Sequence, residues 1–472
     1  MKKLKLILLL IVVCQFAICQ QSNYTNLFEW MVKTFEENDA GFHYYIEQKG
    51  IDNYKKHTES FRQKIIQVRS EQEFLLSMNT WLNFFRKGHI GFTPNISLSN
   101  VNNDSIRATY KNEETVNYDI REFEQYISNK NKIHPIEGIW KNVNYTIGIR
   151  QSNESNRKYD AFIIQADSIF WVPKQKKAEL ILVNDSTFDV TYSMGNHLKQ
   201  KSTSKLFGSN YNFLSMYGTW TKVSPETKYS SKDSLYLNFV TSTKPFLRNL
   251  NTKTIYLRIP SFEIKQKGII DKILFQNDKL IRSTPNLIID IRNGTGGNDY
   301  SASGLIPYYY TNPIRHPGLK YRATELNAKE YEEVYENKSM AYEMRKHLNG
   351  YFETTKGAFL INSYSPIKYP NRVAVICNKN NASADEGFLF MVKQSFKVKV
   401  FGRPTAGMFD FSNVNSVKSP DNKYVLYLTM SERKEFRDYR VDDIGIQPDI
   451  FIDESISDDK WVDFVRHTLE SE

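Results

Sequence analysis

Hydrophobic residues repeat at helical spacing near the start of the chain. Two series carry this pattern: Leu27, Trp30, Met31 and Phe35, then Phe74, Leu75, Met78, Trp81, Leu82 and Phe85. Spacings of three and four residues place such side chains on one face of a helix. We therefore predict a mainly helical N-terminal domain over residues 20–130. We also expect its second helix to end at Lys87-Gly88, because glycine suits a helix C-terminal cap.

Between residues 135 and 225 the pattern changes to the alternation that is typical of strands. Four runs alternate in this way: Tyr145–Ile149, Asp160–Ile164, Glu179–Val183 and Thr187–Tyr192. Gly138-Ile139-Trp140 near the start is echoed by Gly218-Thr219-Trp220 near the end. Small antiparallel barrels can close with such paired strands, so we predict a β-barrel-like module over residues 135–225.

From residue 250 to residue 472, short apolar runs alternate with helical patterns. The predicted strands are Thr254–Ile259, Asn286–Ile291, Arg372–Cys377 and Val398–Phe401, and the predicted helices are Ile269–Leu280 and Ala384–Phe396. This alternation is typical of an α/β domain. A charged, tyrosine-rich segment over residues 325–355 is predicted to be a helical insertion. It would be either a lid over a site or a solvated surface helix.

Composition and charge restrict the classes of function. The 472 residues are 40% hydrophobic and 25% charged, which is typical of a globular protein with two or three domains. The formal net charge of +10 is spread among interspersed acids, and no basic stripe with interleaved aromatics appears. We therefore expect no nucleic-acid partner.

The first 19 residues have the pattern of a signal peptide. Lys2 to Lys5 form a basic region, Leu6 to Val13 an apolar region, and Ala17-Ile18-Cys19 a cleavage site. We expect export to the periplasm or beyond, and no integral membrane span because the apolar run is short. Lipid attachment at Cys19 is the less favoured alternative, since a lipoprotein signal has a small residue where Ile18 stands.

After cleavage, Cys377 would be the only cysteine, so no intramolecular disulfide is expected. Cys377 ends an apolar run and is interpreted as buried packing. No cysteine pair or His-Glu-x-x-His spacing indicates a metal site, and no cofactor is expected.

Ser383 is the most informative residue, because it lies between a predicted buried strand and a predicted helix. A serine there lies at the positive end of the helix dipole, where backbone N–H groups can stabilise an oxyanion. Ser383-x-x-Glu386 is also a capping box, and the local pattern alone favours that role.

Four ordered segments of the α/β region resemble the core of the tail-specific and tricorn-type serine peptidases. They read LIIDIRNGTGG, NASADE, FGRPTAG and DDIGIQPDI. Upstream, KGHIGF resembles the family's Asp-Gly-His motif. The resemblance implies a core of the ClpP/crotonase-like type and a serine peptidase that acts on peptides or unfolded proteins without a cofactor.

The family divides on the base that activates the serine. In the tail-specific branch a lysine follows the Thr-x-Gly turn, but Met408 stands there and cannot accept a proton. The tricorn-type branch uses a histidine, and His89 occupies its position. The resemblance therefore implies Ser383 as nucleophile and His89 as general base.

The same resemblance implies the rest of the catalytic set. The oxyanion donors would be the N–H of Ala384 and that of Gly296 or Gly297. Asp442 stands where tricorn-type members carry a glutamate, with Asp443 as a substitute. Gly88 replaces the serine that precedes the histidine in that branch.

Two other functions stay open at this point. Retinoid-binding relatives of the family indicate a non-catalytic protein that holds a peptide or an apolar ligand. Alternatively, the β module mediates surface attachment. No PDZ-like segment precedes the core, so a preference for C-termini is not implied, and substrate, cleavage specificity and oligomeric state stay undetermined.

Overall fold

A computed structural model gives the fold. It describes residues 23–95, 110, 112–117, 119–129, 133–142, 144–166, 170–184, 187–194, 197, 199–206, 220–225, 234–294, 296–354, 359–434 and 439–471. The predicted signal peptide, with its cleavage site at Cys19, lies outside these residues, as do Gly218 and Thr219. Within these ranges, no helix combines the length and the apolar character needed to cross a membrane.

The chain divides into two compact units. The first combines the described residues of 1–96 with those of 243–472, and the second comprises those of 97–242. The N-terminal helices and the α/β segment therefore share one unit. Every predicted site residue lies in it.

The helices of the first unit are α1 (23–38), α2 (Phe42–Lys49), α3 (Ile51–Ile65), α4 (Glu71–Leu82), α7 (Ile264–Ile281), α8 (Ile306–Tyr309), α9 (Glu325–Glu333), α10 (Lys338–Lys346), α11 (Ala384–Val392) and α12 (Trp461–Ser471). Its strands are β1 (Gly91–Pro94), β9 (Phe246–Asn249), β10 (Thr254–Arg258), β11 (Asn286–Asp290), β12 (Ile314–His316), β13 (Leu319–Arg322), β14 (Tyr351–Glu353), β15 (Phe359–Ile361), β16 (Arg372–Cys377), β17 (Val398–Gly402), β18 (Phe411–Lys418), β19 (Tyr424–Arg433) and β20 (Ile450–Phe451). The second unit contains α5 (Ile120–Asn129) and α6 (Ser234–Thr241), with β2 (Gly138–Lys141), β3 (Tyr145–Gln151), β4 (Lys158–Ala166), β5 (Lys176–Asn184), β6 (Thr187–Ser193), β7 (Lys199–Lys205) and β8 (Thr221–Ser224).

A six-stranded sheet forms the centre of the first unit. Its order is β20-β17-β16-β11-β10-β9, and all neighbouring pairs except β10 with β9 are parallel. Strands β10 and β11 are buried along their whole length, which requires the continuous apolar sequence that predicted them. The carboxyl ends of β11, β16 and β17 therefore meet at one edge, where side chains from separate segments can form a site.

The α/β prediction is confirmed at the level of a mixed α/β fold. Strand Arg372–Cys377 has the predicted bounds, and α7 and α11 lie where helices were expected, although α11 ends at Val392 rather than Phe396. The finer assignment to the ClpP/crotonase-like type stays a prediction.

The N-terminal helices pack on a second sheet. Its order is β1-β19-β13-β14, with β18 also paired to β19. Phe74 and Trp81 of α4 share a buried cluster with Leu426 of β19. Helix α4 ends at Leu82, so the expected end at Lys87-Gly88 was wrong. The turn tightens there instead, because Phe85 N–H bonds to Leu82 O three residues back.

The two helices of the insertion, α9 and α10, pack an apolar face onto β13, β14 and β19. Ala328, Met344 and Met430 belong to this cluster. The insertion therefore has a core face of its own, and only its other face is solvated.

The second unit is an open antiparallel sheet in the order β7-β6-β5-β4-β3-β2-β8. Its four predicted strands are confirmed within a few residues at each end. Trp140, Leu180 and Phe188 are buried together on one face. Among the described residues, the edge strands β7 and β8 do not pair with each other, so the sheet does not close and a barrel is not confirmed.

Candidate active site

Ser383 sits in a strained turn between β16 and α11. Its φ of 58° and ψ of −117° are rare for a residue other than glycine, and it precedes the first residue of the helix. The side chain of Asn381 fixes the turn by donating to Ile291 O at 2.6 Å. Strain of this kind persists only where the surroundings enforce it, and it concentrates at functional sites.

Glu386 links the serine turn by hydrogen bonds to the Thr405–Gly407 turn that follows β17. Its carboxyl group is fully buried and accepts the N–H groups of Ser383 at 3.0 Å, Gly407 at 2.8 Å and Met408 at 2.8 Å. It also accepts the hydroxyl of Thr405 at 2.5 Å. Burial raises the pKa of Glu386, while these donors lower it. The capping-box glutamate therefore joins two of the sequence motifs.

The glycine-rich loop after β11 lies against the serine turn. A Cβ added to Gly296 would come within 2.8 Å of Ser383 Cβ and 3.0 Å of Ala384 N. The N–H of Gly296 is engaged by the Asp385 carboxyl group. Three of the predicted site residues, Gly296, Ser383 and Ala384, are therefore in contact, and Gly297 follows next in the chain.

An open cavity of about 300 Å³ begins at the same loop. It is lined by Glu263, Ile264, Lys265, Gly297 and Asn298. Ile264 is 58% exposed, although it is a large apolar residue. The cavity gives a ligand access to Gly297.

His89 is held through one ring nitrogen. Its Nδ1 lies 2.7 Å from the backbone oxygen of Phe411. The backbone of His89 itself has a φ of 59°. A carbonyl oxygen can only accept, so Nδ1 carries the proton and the neutral ring has its lone pair on Nε2. Burial lowers the pKa of His89, and the nearby cations Arg86 and Arg433 lower it further. The ring is therefore neutral at physiological pH.

Gly88 and Met408 bring the histidine loop and the serine turn together. A Cβ at Gly88 would lie 2.3 Å from Met408 Cγ and 2.9 Å from its Cβ. On its other side, Met408 O accepts the N–H of Ser383 at 3.2 Å. Met408 therefore lies between the segments that carry His89 and Ser383. Because Gly88 has no side chain, the side chain of Met408 can occupy the space beside it.

We expect Gly88→Ser to destabilise the protein by about 1–3 kcal/mol, the usual cost of inserting atoms into a packed site. Adding Met408→Ala should recover most of that loss, because it removes the atoms that the new side chain would meet. A double-mutant cycle by chemical denaturation measures the coupling between the two changes. Additive losses would show that Gly88 and Met408 are not packed against each other.

The carboxyl group of Asp442 accepts hydrogen bonds from the backbone of neighbouring residues. Its Oδ1 accepts the N–H groups of Phe409 at 2.6 Å and Asp410 at 2.7 Å. The Asp410 carboxylate in turn accepts the N–H groups of Val441 and of Asp442. Burial raises the pKa of both acids, and the charge of Asp410 raises that of Asp442 further.

The structure brings Asp442 and Asp443 to the loops beside His89. Asp443 Oδ1 accepts the N–H of Lys87 at 3.2 Å, next to Gly88. The bond at His89 Nδ1 goes to Phe411 O, so a backbone carbonyl orients the ring where an acid was expected.

An ion pair that the sequence did not reveal supports the histidine loop. Arg86 donates to both carboxylate oxygens of Asp39, at 2.9 and 2.6 Å, and both side chains are completely buried. Arg86 also donates to Thr429 of β19 at 2.8 Å and lies over the Phe411 ring. In the sequence, the only sign of this pair is that Arg86 directly precedes the KGHIGF segment.

The sequence interpretation of Cys377 as buried packing is confirmed. The side chain is fully buried, and burial raises the pKa of its thiol to about 12. In the part of the chain that the structure describes, no group of three His, Cys, Asp or Glu side chains is placed to hold a metal ion.

Residues 253–452 match the sequence model of peptidase family S41. The match supports a serine peptidase of this family. It contains Gly296, Gly297, Ser383, Ala384 and Asp442, whereas His89 lies outside the matched residues. The family match does not distinguish the tail-specific branch from the tricorn-type branch.

Several solved structures are similar to this chain at low sequence identity. Mature CPAF is 12% identical over 95% of this chain and 97% of that chain, with a TM-score of 0.51. A putative peptidase from Parabacteroides merdae is 16% identical over 51% of this chain and 70% of that one, with a TM-score of 0.36. The photosystem II D1 C-terminal processing protease is 11% identical over 95% and 98%, with a TM-score of 0.39. No curated protein matches the chain significantly.

Proposed function

We propose that the S41 domain hydrolyses peptide bonds through an acyl-enzyme formed on Ser383, with His89 as general base. The observation that carries the proposal is the state of His89: its Nδ1 proton is committed to Phe411 O at 2.7 Å, so Nε2 is the basic nitrogen. A lowered pKa keeps that nitrogen unprotonated at neutral pH. No acid in direct contact with the ring is required.

In the proposed reaction, Ser383 Oγ attacks the substrate carbonyl carbon as its proton passes to His89 Nε2. The carbonyl becomes a tetrahedral oxyanion, and its collapse breaks the C–N bond as the imidazolium returns the proton to the leaving amine. Water then attacks the ester as its proton passes to His89 Nε2, and the bond from the acyl carbon to Ser383 Oγ breaks as the imidazolium returns the proton to Oγ, which releases the carboxylic acid and restores Ser383. The same histidine thus serves both half-reactions.

The proposed oxyanion donors are the N–H groups of Ala384 and Gly297. Ala384 is the first residue of α11, so its amide lies at the positive end of the helix. Gly296 is less suited than Gly297, because its amide is engaged by Asp385. One such donor contributes about 2.7–4 kcal/mol to lowering a barrier of this type.

The substrate class follows from the family: a peptide or a protein. The cavity beside Gly297 would receive it, and the pattern of residues 1–19 supports export as the setting. Sequencing the N-terminus of the mature protein from the host would test export, with Gln20 as the expected first residue.

A fluorophosphonate should label Ser383, at a rate that rises with pH through a titration below pH 6.5. The reagent needs an activated serine, and His89 is competent only when neutral. Mass spectrometry locates the adduct, and a pH series gives the titration. His89→Ala should slow labelling by about 10²–10⁴-fold, the range for loss of a general base. The control variant His347→Ala removes an exposed histidine ring that is not among the predicted site residues, and it should change neither the labelling rate nor its titration.

A non-catalytic, ligand-binding role is the second candidate. It is favoured by the bonds of Asp442, which engage Phe409 and Asp410 and leave the histidine without an acid partner among the described hydrogen bonds. An unlabelled Ser383 in folded protein, together with peptide binding by calorimetry, would establish that role and exclude the peptidase proposal.

A further inference from the structure

Asp385 is a buried carboxyl group that the proposed reaction does not use. It lies two residues after Ser383, in the first turn of α11, and is 1% exposed. Burying a carboxylate is costly unless donors surround it. Its surroundings therefore indicate what it does.

Both the serine turn and the glycine-rich loop donate to this group. Asn381 Nδ2 donates to Asp385 Oδ2 at 2.8 Å, and the N–H of Gly296 donates to the same carboxyl group. The carboxyl group also fills the space beside Gly294, where an added Cβ would lie 2.4 Å from Oδ2. The two loops that carry the proposed oxyanion donors are therefore joined through one side chain.

We propose that Asp385 is a positioning residue that aligns the glycine-rich loop with Ser383, so that the N–H of Gly297 points to the oxyanion. Asp385 holds the peptide plane that carries the Gly296 N–H, and the N–H of Phe262 holds the following plane by donating to Gly296 O at 3.2 Å, so the two bonds together set the direction of the Gly297 N–H. The inference rests on the proposed function. Only the carboxylate form of Asp385 can hold both loops, because an anion accepts hydrogen bonds from both donors. A protonated acid or an amide would present a donor to one of them.

Burial first, and then the groups around Asp385, set the pH at which this form is lost. Burial raises its pKa to about 7, and Asn381 and Gly296 oppose that rise. Glu386 on the same helix raises the pKa, Arg258 of β10 lowers it, and the Cys377 thiol of β16 faces it without charge. As the pH falls through about 7, the carboxylate is protonated and one donor loses its acceptor. The acylation rate should fall with it.

The test compares Asp385→Asn with the wild type in the full chain, by fluorophosphonate labelling, peptidase kinetics and amide hydrogen exchange. We expect labelling and kcat to fall by about 10²-fold, the effect of a lost oxyanion donor, with KM within about twofold. The titration near pH 7 should disappear, leaving that of His89. Exchange should accelerate in the loop 293–298. Asp463→Asn, which removes an exposed acid from the first turn of α12, is the matched control and should change none of these.

The failures of the two proposals are distinguishable. A wild type that is folded but never labelled refutes the proposed function, and this inference with it. A wild type that labels, beside an Asp385→Asn variant with the same rate, pH profile and loop exchange, refutes the inference alone. If Asp385→Asn does not fold, Gly294→Ala displaces the same carboxyl group and should give the same kcat loss; an unchanged kcat there refutes the inference.

Discussion

Ser383→Ala should lower kcat for peptide hydrolysis by about 10⁴- to 10⁶-fold, because the residual rate would come only from the oxyanion donors and substrate binding. Stability should change by no more than about 1–2 kcal/mol, the range for losing an N-cap hydroxyl. Peptide affinity should be retained. Steady-state kinetics, chemical denaturation and calorimetry measure the three quantities.

Ser70→Ala is the matched control for that experiment. Ser70 caps α4 and accepts the N–H of Glu73 at 3.2 Å, in the Ser-x-x-Glu pattern that Ser383 also has. Its loss should cost about 1 kcal/mol and no activity. Equal kinetics for the Ser70 and Ser383 variants would mean that Ser383 serves only as a cap, and the peptidase proposal would fail.

Arg86→Met should destabilise the protein by about 3–5 kcal/mol, the cost of leaving a buried charge without its partner. Asp39 would keep its bonds to the N–H groups of Gly41 and Thr429, each at 2.9 Å, but not its counter-ion. Because Arg86 also lies over Phe411, whose carbonyl holds His89, activity should fall in the protein that remains folded. Chemical denaturation and labelling of Ser383 measure the two effects.

Arg62→Met is the control for the buried pair. Arg62 pairs with Glu29 at 2.7 Å, but both side chains are more than 40% exposed, so its loss should cost no more than about 1 kcal/mol. Adding Asp39→Asn to Arg86→Met should recover part of the stability, since the amide oxygen can still accept. Equal losses for Arg62→Met and Arg86→Met would contradict a special cost for the buried pair.

The sequence was most informative where local pattern and burial agree. Strand Arg372–Cys377 has its predicted bounds, because an apolar, β-branched run of six residues in a parallel sheet is buried on both faces. Helix α4 was predicted to extend past its end at Leu82, since apolar spacing continues to Phe85 although the chain turns. Closure of the second unit could not be predicted, because pairing between edge strands depends on distant segments.

Within the candidate site, the motifs indicated which segments come together but not which hydrogen bonds join them. Ser383 and Gly296 were expected to meet, and they lie in contact. The roles of Ser383, His89 and Asp442 stay predictions until they are tested. Asp385 and Glu386 are two acids of one sequence motif, and only the fold places Asp385 against the glycine-rich loop and Glu386 against the Thr405–Gly407 turn.

The amino-acid sequence by itself determined the local elements, the strand-to-helix position of Ser383 and the chemical groups available. The tertiary structure decided which acceptor each donor meets. His89 bonds to a carbonyl 322 residues away, and Arg86 to Thr429 at a separation of 343 residues. Hydrogen bonds act over about 3 Å in space whatever the separation along the chain, so the partners of a side chain are fixed only when the sheets and helices have packed.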